Sequence, residues 1–587
     1  MIIQALCDYY QRKASDPDSG IAPEGFETKE LPFIVVIGNN GQFIAIEDTR
    51  EGEGKRKRAK KFLVPQGVKR TVGINANLLW DNVEYALGAN PRGRDDVSQR
   101  HQAFKNRLVM ELAGINHHSD VKALLFFLTN DPVSQIEAKP DYGELWQEMQ
   151  ESNAFISFRI DGSKDPLISD SIRSFLKNRK MTSNVENEKK SCLVTGNQSE
   201  ITRLHTAIKG VRGTNTSGGS LVSFNLSSFC SYKKTQSYNA PIGNEAAFAY
   251  TTALNLLLSK ESENKFGIGD ATVAFWSQRK AEEYDLEQDF SCFFADPPKD
   301  DPDKNIRAVR NLYQAVYSGI LPVDDDNQFY VLGLSPNAAR IAVRFWKTGR
   351  ISDFAQNIKQ HFDDLEIVKG PKDHEFLTLN QLLRATVLDY KMENVPPNLA
   401  GAVMESVLDG TPYPRTLMHQ CIRRIRAEQH VTRTRAEQHV TRTRAAILKA
   451  YLNRLNPNHK EVDVSLDKSN QCPGYRLGRL FAALEKIQEE ASPGLNATIR
   501  ERYYGAASTS PVTVFSQLLK LKNHHLAKLT NPGRKVNLEK IIGEIFDGIN
   551  EFPAHLTMEE QARFAIGYYH QRQAFFESNK NEPDNSK

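Results

Sequence analysis

Residues 192–258 read CLVTGNQSEITRLHTAIKGVRGTNTSGGSLVSFNLSSFCSYKKTQSYNAPIGNEAAFAYTTALNLLL. The short apolar run Cys192–Thr195 predicts a strand, and a polar loop follows it. A basic loop rich in Gly and Ser, Lys209 to Ser220, leads to a second predicted strand, Leu221–Leu226. Then come a polar segment with Lys233 and Lys234 and an Ala-rich apolar helix starting near Ala246. Strands and a helix alternate here, so this part of the chain is mixed in class. It also brings together backbone amides, small residues and cations, with no obvious nucleophile, base or metal ligand. Such a set suits holding phosphates better than breaking bonds.

The mixture extends in both directions. Phe33–Ile37 and Gln42–Ile46 flank Gly38-Asn39-Asn40-Gly41, which predicts a hairpin. Phe104, Leu108 and Leu112 recur four apart within a predicted helix over 98–113. Phe155–Ile160 reads as a strand ending at Asp161-Gly162, and 179–190 as a polar loop. Residues 271–276, ATVAFW, predict a buried strand. Positions 282–303 carry nine Asp/Glu against one Lys, with three prolines, and read as a solvated loop. Phe329–Leu334 predicts a strand, and Ser335-Pro336 an N-cap and first turn of a helix through Trp346. After about 375 strand signals vanish. Leu477, Leu480, Phe481, Leu484 and Ile487 share one helical face. Thr557 and Glu560 form a capping-box pattern ahead of Phe564, Tyr568, Tyr569, Phe575 and Phe576. That aromatic spacing fits bundle packing better than base stacking. The tail after Lys580 reads as disordered. The predicted class is α+β, in four parts: a mixed region 1–190, a mixed region 191–375, an Arg-rich helical region 376–470 and a helix bundle 471–587.

A chain of 587 residues exceeds one hydrophobic core. Its 40% hydrophobic and 25% charged content is that of a soluble globular protein. The net charge of +4 and pI of 8.5 are too mild to identify a partner, so the distribution of charge decides. Cysteines 7, 192, 230, 292, 421 and 472 form no CxxC, which argues against a zinc knuckle and for a reducing compartment. The opening MIIQALCDYYQRK lacks signal-peptide organisation, and no apolar run approaches the roughly 20 residues of a membrane span, so a cytoplasmic location away from membranes is expected.

No GxxxxGK[ST], GxSxG, HExxH or GxGxxG occurs. His117-His118 and His524-His525 are adjacent pairs whose side chains diverge on a helix, and His205 reads as structural. Asp324, Asp325 and Asp326, with Asp296 or Asp300, are what a metal-dependent nuclease would have to use; a solvated turn is the simpler reading. No cofactor, metal site or catalytic residue is therefore expected, and a purely architectural role is the other alternative. Binding signals are stronger. Lys55, Arg56, Lys57, Arg58, Lys60 and Lys61 put six cations into seven positions after a Gly-punctuated turn, a pattern suited to a polyanion backbone. In the next loop Lys209 and Arg212 would meet phosphates, Gly213, Gly218 and Gly219 would allow close approach, and Thr214 and Asn215 would reach base edges. Lys233, Lys234, Gln236 and Asn239 lie just beyond. Positions 411–455 carry ten Arg/Lys against two Glu, including Arg423, Arg424, Arg426, Arg433, Arg435, Arg442 and Arg444, and fit an anionic partner. Within them RAEQHVTRT occurs at 426–434 and again at 435–443. On one helix, copies nine apart would face opposite ways about 13.5 Å apart, so one copy reads as an insertion tolerated at an exposed helix or helix end.

CLVTG, RLHTAIKGV, GTNTSGGSLVSFN, NAPIGNEAAFAYTTALN and FAIGYYHQRQAFF, with the opening MIIQALCDYYQRK and EGFETKELPFIVVI, resemble the Csd family, the large subunit of the type I-C CRISPR Cascade complex. The resemblance runs end to end. It implies a non-enzymatic subunit that joins crRNA-bearing backbone and crRNA-processing subunits and a small subunit. It also implies recognition of the protospacer-adjacent motif (PAM) in duplex DNA, help in opening the duplex and a hold on the displaced single strand. A separate helicase–nuclease is then recruited. Guide pairing would supply sequence specificity. The helical C-terminal part resembles the complex's small subunit. The nine-residue duplication departs from the family's single RAEQ…VTRTRAA segment.

Overall fold

A computed structural model of the protein describes residues 2–52, 57–68, 70, 73–163, 170–178, 189–280, 284–321, 326–371, 373–428, 440–456, 460–495 and 497–578. The predicted loop 179–190 and the tail after Lys580 thus lie almost wholly or wholly outside the described residues. The class is α+β, as expected. The chain forms two compact units, one of residues 1–210 with 215–259, the other of 211–214 with 260–587.

In the first unit, Phe33–Ile37 is buried along its whole length because it is one of two inner strands of a four-stranded sheet. It pairs antiparallel with Phe43–Asp48, the predicted hairpin, and parallel with Phe155–Ile160. Trp80–Asn82 closes the other edge. Parallel pairing needs a long crossover, and helices Val97–Glu111 and Ser119–Thr129 lie within it. Phe104, Leu108, Phe127 and Phe158 share the resulting core. Helix Asn244–Leu257 packs on Ile2–Ala14, with Tyr10 edge-on to Phe248 at 5.7 Å.

The second unit opens with an antiparallel meander of Lys265–Ile268, Ala271–Ser277, Gln328–Asn337 and Arg340–Arg350. Every residue of Ala271–Ser277 is buried, as predicted. Ser335-Pro336 starts no helix, which corrects the sequence reading. Pro336 lies past Leu334, where pairing with Ala271–Ser277 ends, so its missing N–H costs no ladder bond on that side. A tight turn with Ala338 at φ 52° sends the chain back, and Trp346 stacks on Tyr330 at 5.5 Å across the pair. The acidic stretch is a second correction. Leu286, Phe290, Phe293 and Phe294 follow an i, i+4, i+7, i+8 pattern, and all are buried on helix Leu286–Phe294. Phe290 lies 4.7 Å from Phe275 and 4.9 Å from Phe329, so a core helix sits inside a run whose charge count resembles a loop. In the first unit, Cys192–Thr195 and Leu221–Leu226 are likewise not strands. The former is a turn closed by Gly196 N–H on the Cys192 carbonyl at 2.8 Å, and the latter is irregular.

The rest is helical among the described residues. Helices Pro473–Ala491 and Met558–Ser578 cross at glycines: a Cβ on Gly478 would lie 2.0 Å from the Phe564 carbonyl oxygen, and one on Gly567 2.1 Å from that of Tyr475. Tyr568 donates to Glu485 at 2.6 Å and Tyr569 to the Val368 carbonyl at 2.8 Å, so these tyrosines serve packing, as their spacing predicts. Two buried histidines make the second unit sensitive to acid. Burial pushes His361, against Tyr413 at 2.6 Å, and His570, against Tyr475 at 3.0 Å, down to about 3. An unfolded histidine takes a proton below about 6.5 and these two do not, so stability falls as pH drops through that value. Each contributes a loss of about 2 kcal/mol between pH 7 and pH 5. A melting curve at pH 5 should therefore lie well below that at pH 7, and the gap should narrow in His570→Gln.

Candidate nucleic-acid interface

The first basic segment is an excursion between two strands. Glu51 and Arg58 exchange backbone bonds of 2.9 Å, closing the loop, and Lys61–Pro65 then pairs with Phe26–Glu30. Lys57 and Arg58 are exposed at its end. Lys60 pairs with Glu51 at 2.9 Å, which raises its pKa, so it is neutralised in part. Lys61 is exposed, and Lys55 and Arg56 lie outside the described residues.

The Gly-rich loop is shared between the units, since 211–214 belongs to the second. There, Arg212 N–H donates to Thr272 Oγ1 at 3.0 Å, Thr214 Oγ1 donates to the Val211 carbonyl at 2.7 Å, and a Cβ on Gly213 would lie 3.1 Å from Pro336. In the first unit, Gly219 is buried and exchanges bonds of 2.7 and 2.9 Å with Ile208. Gly218 sits at φ +87°, where a Cβ would lie 2.5 Å from the Ile208 oxygen. These two glycines are needed for the protein's own backbone crossing, not for a ligand's approach, which corrects their assignment. Of the side chains assigned to DNA in this loop, those of Lys209, Arg212 and Asn215 are exposed and that of Thr214 is half-buried. Burial lowers the Lys29 pKa, and the charge of nearby Lys209 adds to that effect.

Residues 231–239 form a compact knot. Asn239 accepts from Ser231 N–H at 2.9 Å and donates to the carbonyls of Lys234 at 3.2 Å and Gln236 at 2.9 Å. Gln236 accepts from Arg203 at 2.9 Å. Both amides are occupied in shaping the loop, while Lys233 and Lys234 remain exposed. The hydrogen bond of His205 to Tyr250 at 2.6 Å makes that histidine structural.

The Arg-rich segment is corrected most. Arg444 is fully buried, donating to the Ala385 carbonyl at 2.8 Å and to Glu428 at 2.5 Å. Burial pushes the Glu428 carboxyl up, but the Arg444 and Arg424 guanidiniums outweigh it and hold the group below the usual range. Arg424 is committed to Glu428 at 2.6 Å, and Arg442 to the backbone of His374 and Glu375. Lys449 and Arg454 are buried as well. Arg423 and Arg426, three apart on helix Arg415–Ala427, stay exposed, and Arg433 and Arg435 lie outside the described residues. Of the acidic candidates, Asp296 pairs with Arg384 at 2.7 Å and Asp326 with Arg279. Asp300 is exposed, and Asp324 and Asp325 are outside the described residues, among which no three or more His, Cys, Asp or Glu side chains gather as metal ligands would.

A family model described as CRISPR-associated protein (Cas_Csd1) matches residues 6–576. The chain belongs to this family. No curated protein matches it. Among the described residues of this Csd1-family protein, no helix is long and apolar enough to cross a membrane. The match spans the exposed loops of the first unit and the helices of the second alike.

Sequence reasoning passed over Tyr232, which is 94% exposed between Ser231 and the two lysines. The signal was present in SYKK, an aromatic next to paired cations. The duplication also looks different in three dimensions. The first helix ends at Ala427 and the next begins at Arg442 behind an N-cap, Thr441, so the described parts of the two copies lie on two helices instead of opposite faces of one. Deleting 435–443 would let Val431, Thr432 and Arg433 occupy the places of Val440, Thr441 and Arg442. The deletion should fold, with stability unchanged or higher by up to about 1 kcal/mol because the connection is shorter. A thermal melt checks this, and a large drop would contradict it.

Proposed function

We propose that this Csd1-family chain is the large subunit of a crRNA-guided type I-C surveillance complex. It recognises the PAM in duplex DNA, assists strand opening and stabilises the displaced strand. It carries out no catalysis. In the cytoplasm it works with backbone, crRNA-processing and small subunits, and the bound complex hands its target to a recruited helicase–nuclease. The observation that carries the reading is the set of exposed cations on short, internally bonded loops of the first unit: Lys57, Arg58, Lys209, Lys233 and Lys234. Cations fixed on such loops position a phosphate backbone without reading its sequence, which suits a protein whose specificity is delegated to guide pairing. Of the described acidic candidates for a nuclease, Asp296 and Asp326 are held in ion pairs with arginines, and Asp300 is exposed.

The test is reconstitution of the ribonucleoprotein with and without this chain on duplex carrying target and PAM. Omission should abolish binding to duplex while sparing binding to a complementary single strand. Equal duplex binding without the chain would overturn the reading. Purified chain incubated with Mg²⁺ and DNA should leave the DNA intact. Cutting that Asp296→Ala abolishes would establish a nuclease in its place.

A further inference from the structure

Lys234 N–H donates to the Ser231 carbonyl at 2.9 Å, closing a β-turn with Tyr232 at φ 51° and Lys233 at φ 57°. Positive φ at both central positions is the type I′ pattern, which favours Asn and Gly. A tyrosine and a lysine occupy it instead. Gln236, at φ 49°, is a third non-glycine residue in this conformation within five positions. Asn239 bonds the knot from within and Arg203 from outside it, and together they hold it in place. Such strain persists where neighbours over-determine the backbone, and it gathers at sites that contact ligands. The fold thus holds a large aromatic ring, 94% exposed, on a rigid turn in a conformation that a smaller residue would adopt more readily. Exposed Lys233 and Lys234 follow it directly.

We propose that Tyr232 is a base-stacking residue: its ring takes the face of an unpaired nucleobase while Lys233 and Lys234 hold the adjoining phosphates. The proposal rests on the DNA-binding reading above and adds to it the contact that would hold a base once the duplex opens. Stacking requires no base identity, because every base has a π-face. A pre-set turn loses little freedom on binding. Paired lysines favour a nucleic acid over a protein partner, since lysine is depleted in protein interfaces.

The assembled complex is tested on target duplex with Tyr232→Phe, Tyr232→Leu and Tyr232→Asn. Phe should bind like wild type. Leu and Asn should each weaken binding about tenfold, with the slope against salt unchanged because no charge is removed. Lys233→Ala with Lys234→Ala should instead flatten that slope. Asn suits the turn, so its melting temperature should equal or exceed that of wild type, which separates impaired binding from impaired folding. Wild-type binding by all three variants would overturn the proposal, and so would full binding by Leu with weak binding by Asn, the mark of an apolar contact with a protein. Either result would leave the broader reading standing if omission of the whole chain still abolished duplex binding.

Discussion

Gly478→Ala is expected to destabilise the helical unit by about 3 kcal/mol, near the upper end for overpacking. The added Cβ would lie 2.0 Å from the Phe564 oxygen and 2.8 Å from both Phe564 C and Tyr568 N. Those atoms belong to the backbone of a neighbouring helix, so no side chain can rotate away. Helices Pro473–Ala491 and Met558–Ser578 would have to separate, loosening Phe481 against Phe564 and Tyr568, now 5.9 and 6.1 Å apart between ring centres. Gly474 faces the Glu560 oxygen in the same way, at 2.3 Å. Gly543, on helix Pro532–Phe546, is the control. A Cβ there meets nothing within 4 Å, so Gly543→Ala should stabilise by about 1 kcal/mol through helix propensity alone. Denaturant unfolding of the two variants should give shifts of opposite sign. A shift of the same sign in both would refute the close crossing.

Arg454→Ala should cost about 3–5 kcal/mol, the range for breaking a buried ion pair from one side. Arg454 donates to Asp364 at 2.5 Å and to the carbonyls of Ser406 and Thr411 at 3.0 Å each, over the face of Tyr413. Removing it leaves those carbonyls and a buried carboxylate without their main partner. Lysine should rescue little, since a single ammonium cannot reproduce the planar fork. Asp364→Asn combined with Arg454→Met should be less damaging than the sum of the single changes, because no unpaired charge remains. Additive losses in that double-mutant cycle would show that the two residues do not interact.

Where burial and period coincide, the fold is legible in the sequence. Phe33–Ile37, Phe155–Ile160 and Ala271–Ser277 are strands because apolar or β-branched residues fill them between turn residues. Where charge masks the period, it is not: Leu286–Phe294 is hidden among carboxylates. Ser335-Pro336 misleads because a local capping signal is outweighed by the pairing of Gln328–Asn337 with Arg340–Arg350, across which Tyr330 stacks on Trp346. The candidate interface was legible as composition but not as exposure. Arg444, Lys449 and Arg454 count as cations in a sequence sum, yet the fold spends them on Glu428, the Asp364 carbonyl and the Asp364 carboxylate. Gly218 and Gly219 likewise turn inward to Ile208. Tyr232 is legible as an aromatic beside paired lysines, but the φ and exposure that set it apart are not legible from residue type.

The central claim is that exposed cations of the first unit meet the phosphates of target DNA. It is tested most directly by the salt dependence of target binding in the assembled complex, wild type against Lys55, Arg56, Lys57 and Arg58 all changed to Ala. The logarithm of the binding constant should fall less steeply with the logarithm of salt concentration in the variant, by about 0.9 for each phosphate that the variant no longer neutralises, with weaker binding at low salt. Two superimposable lines would contradict the account.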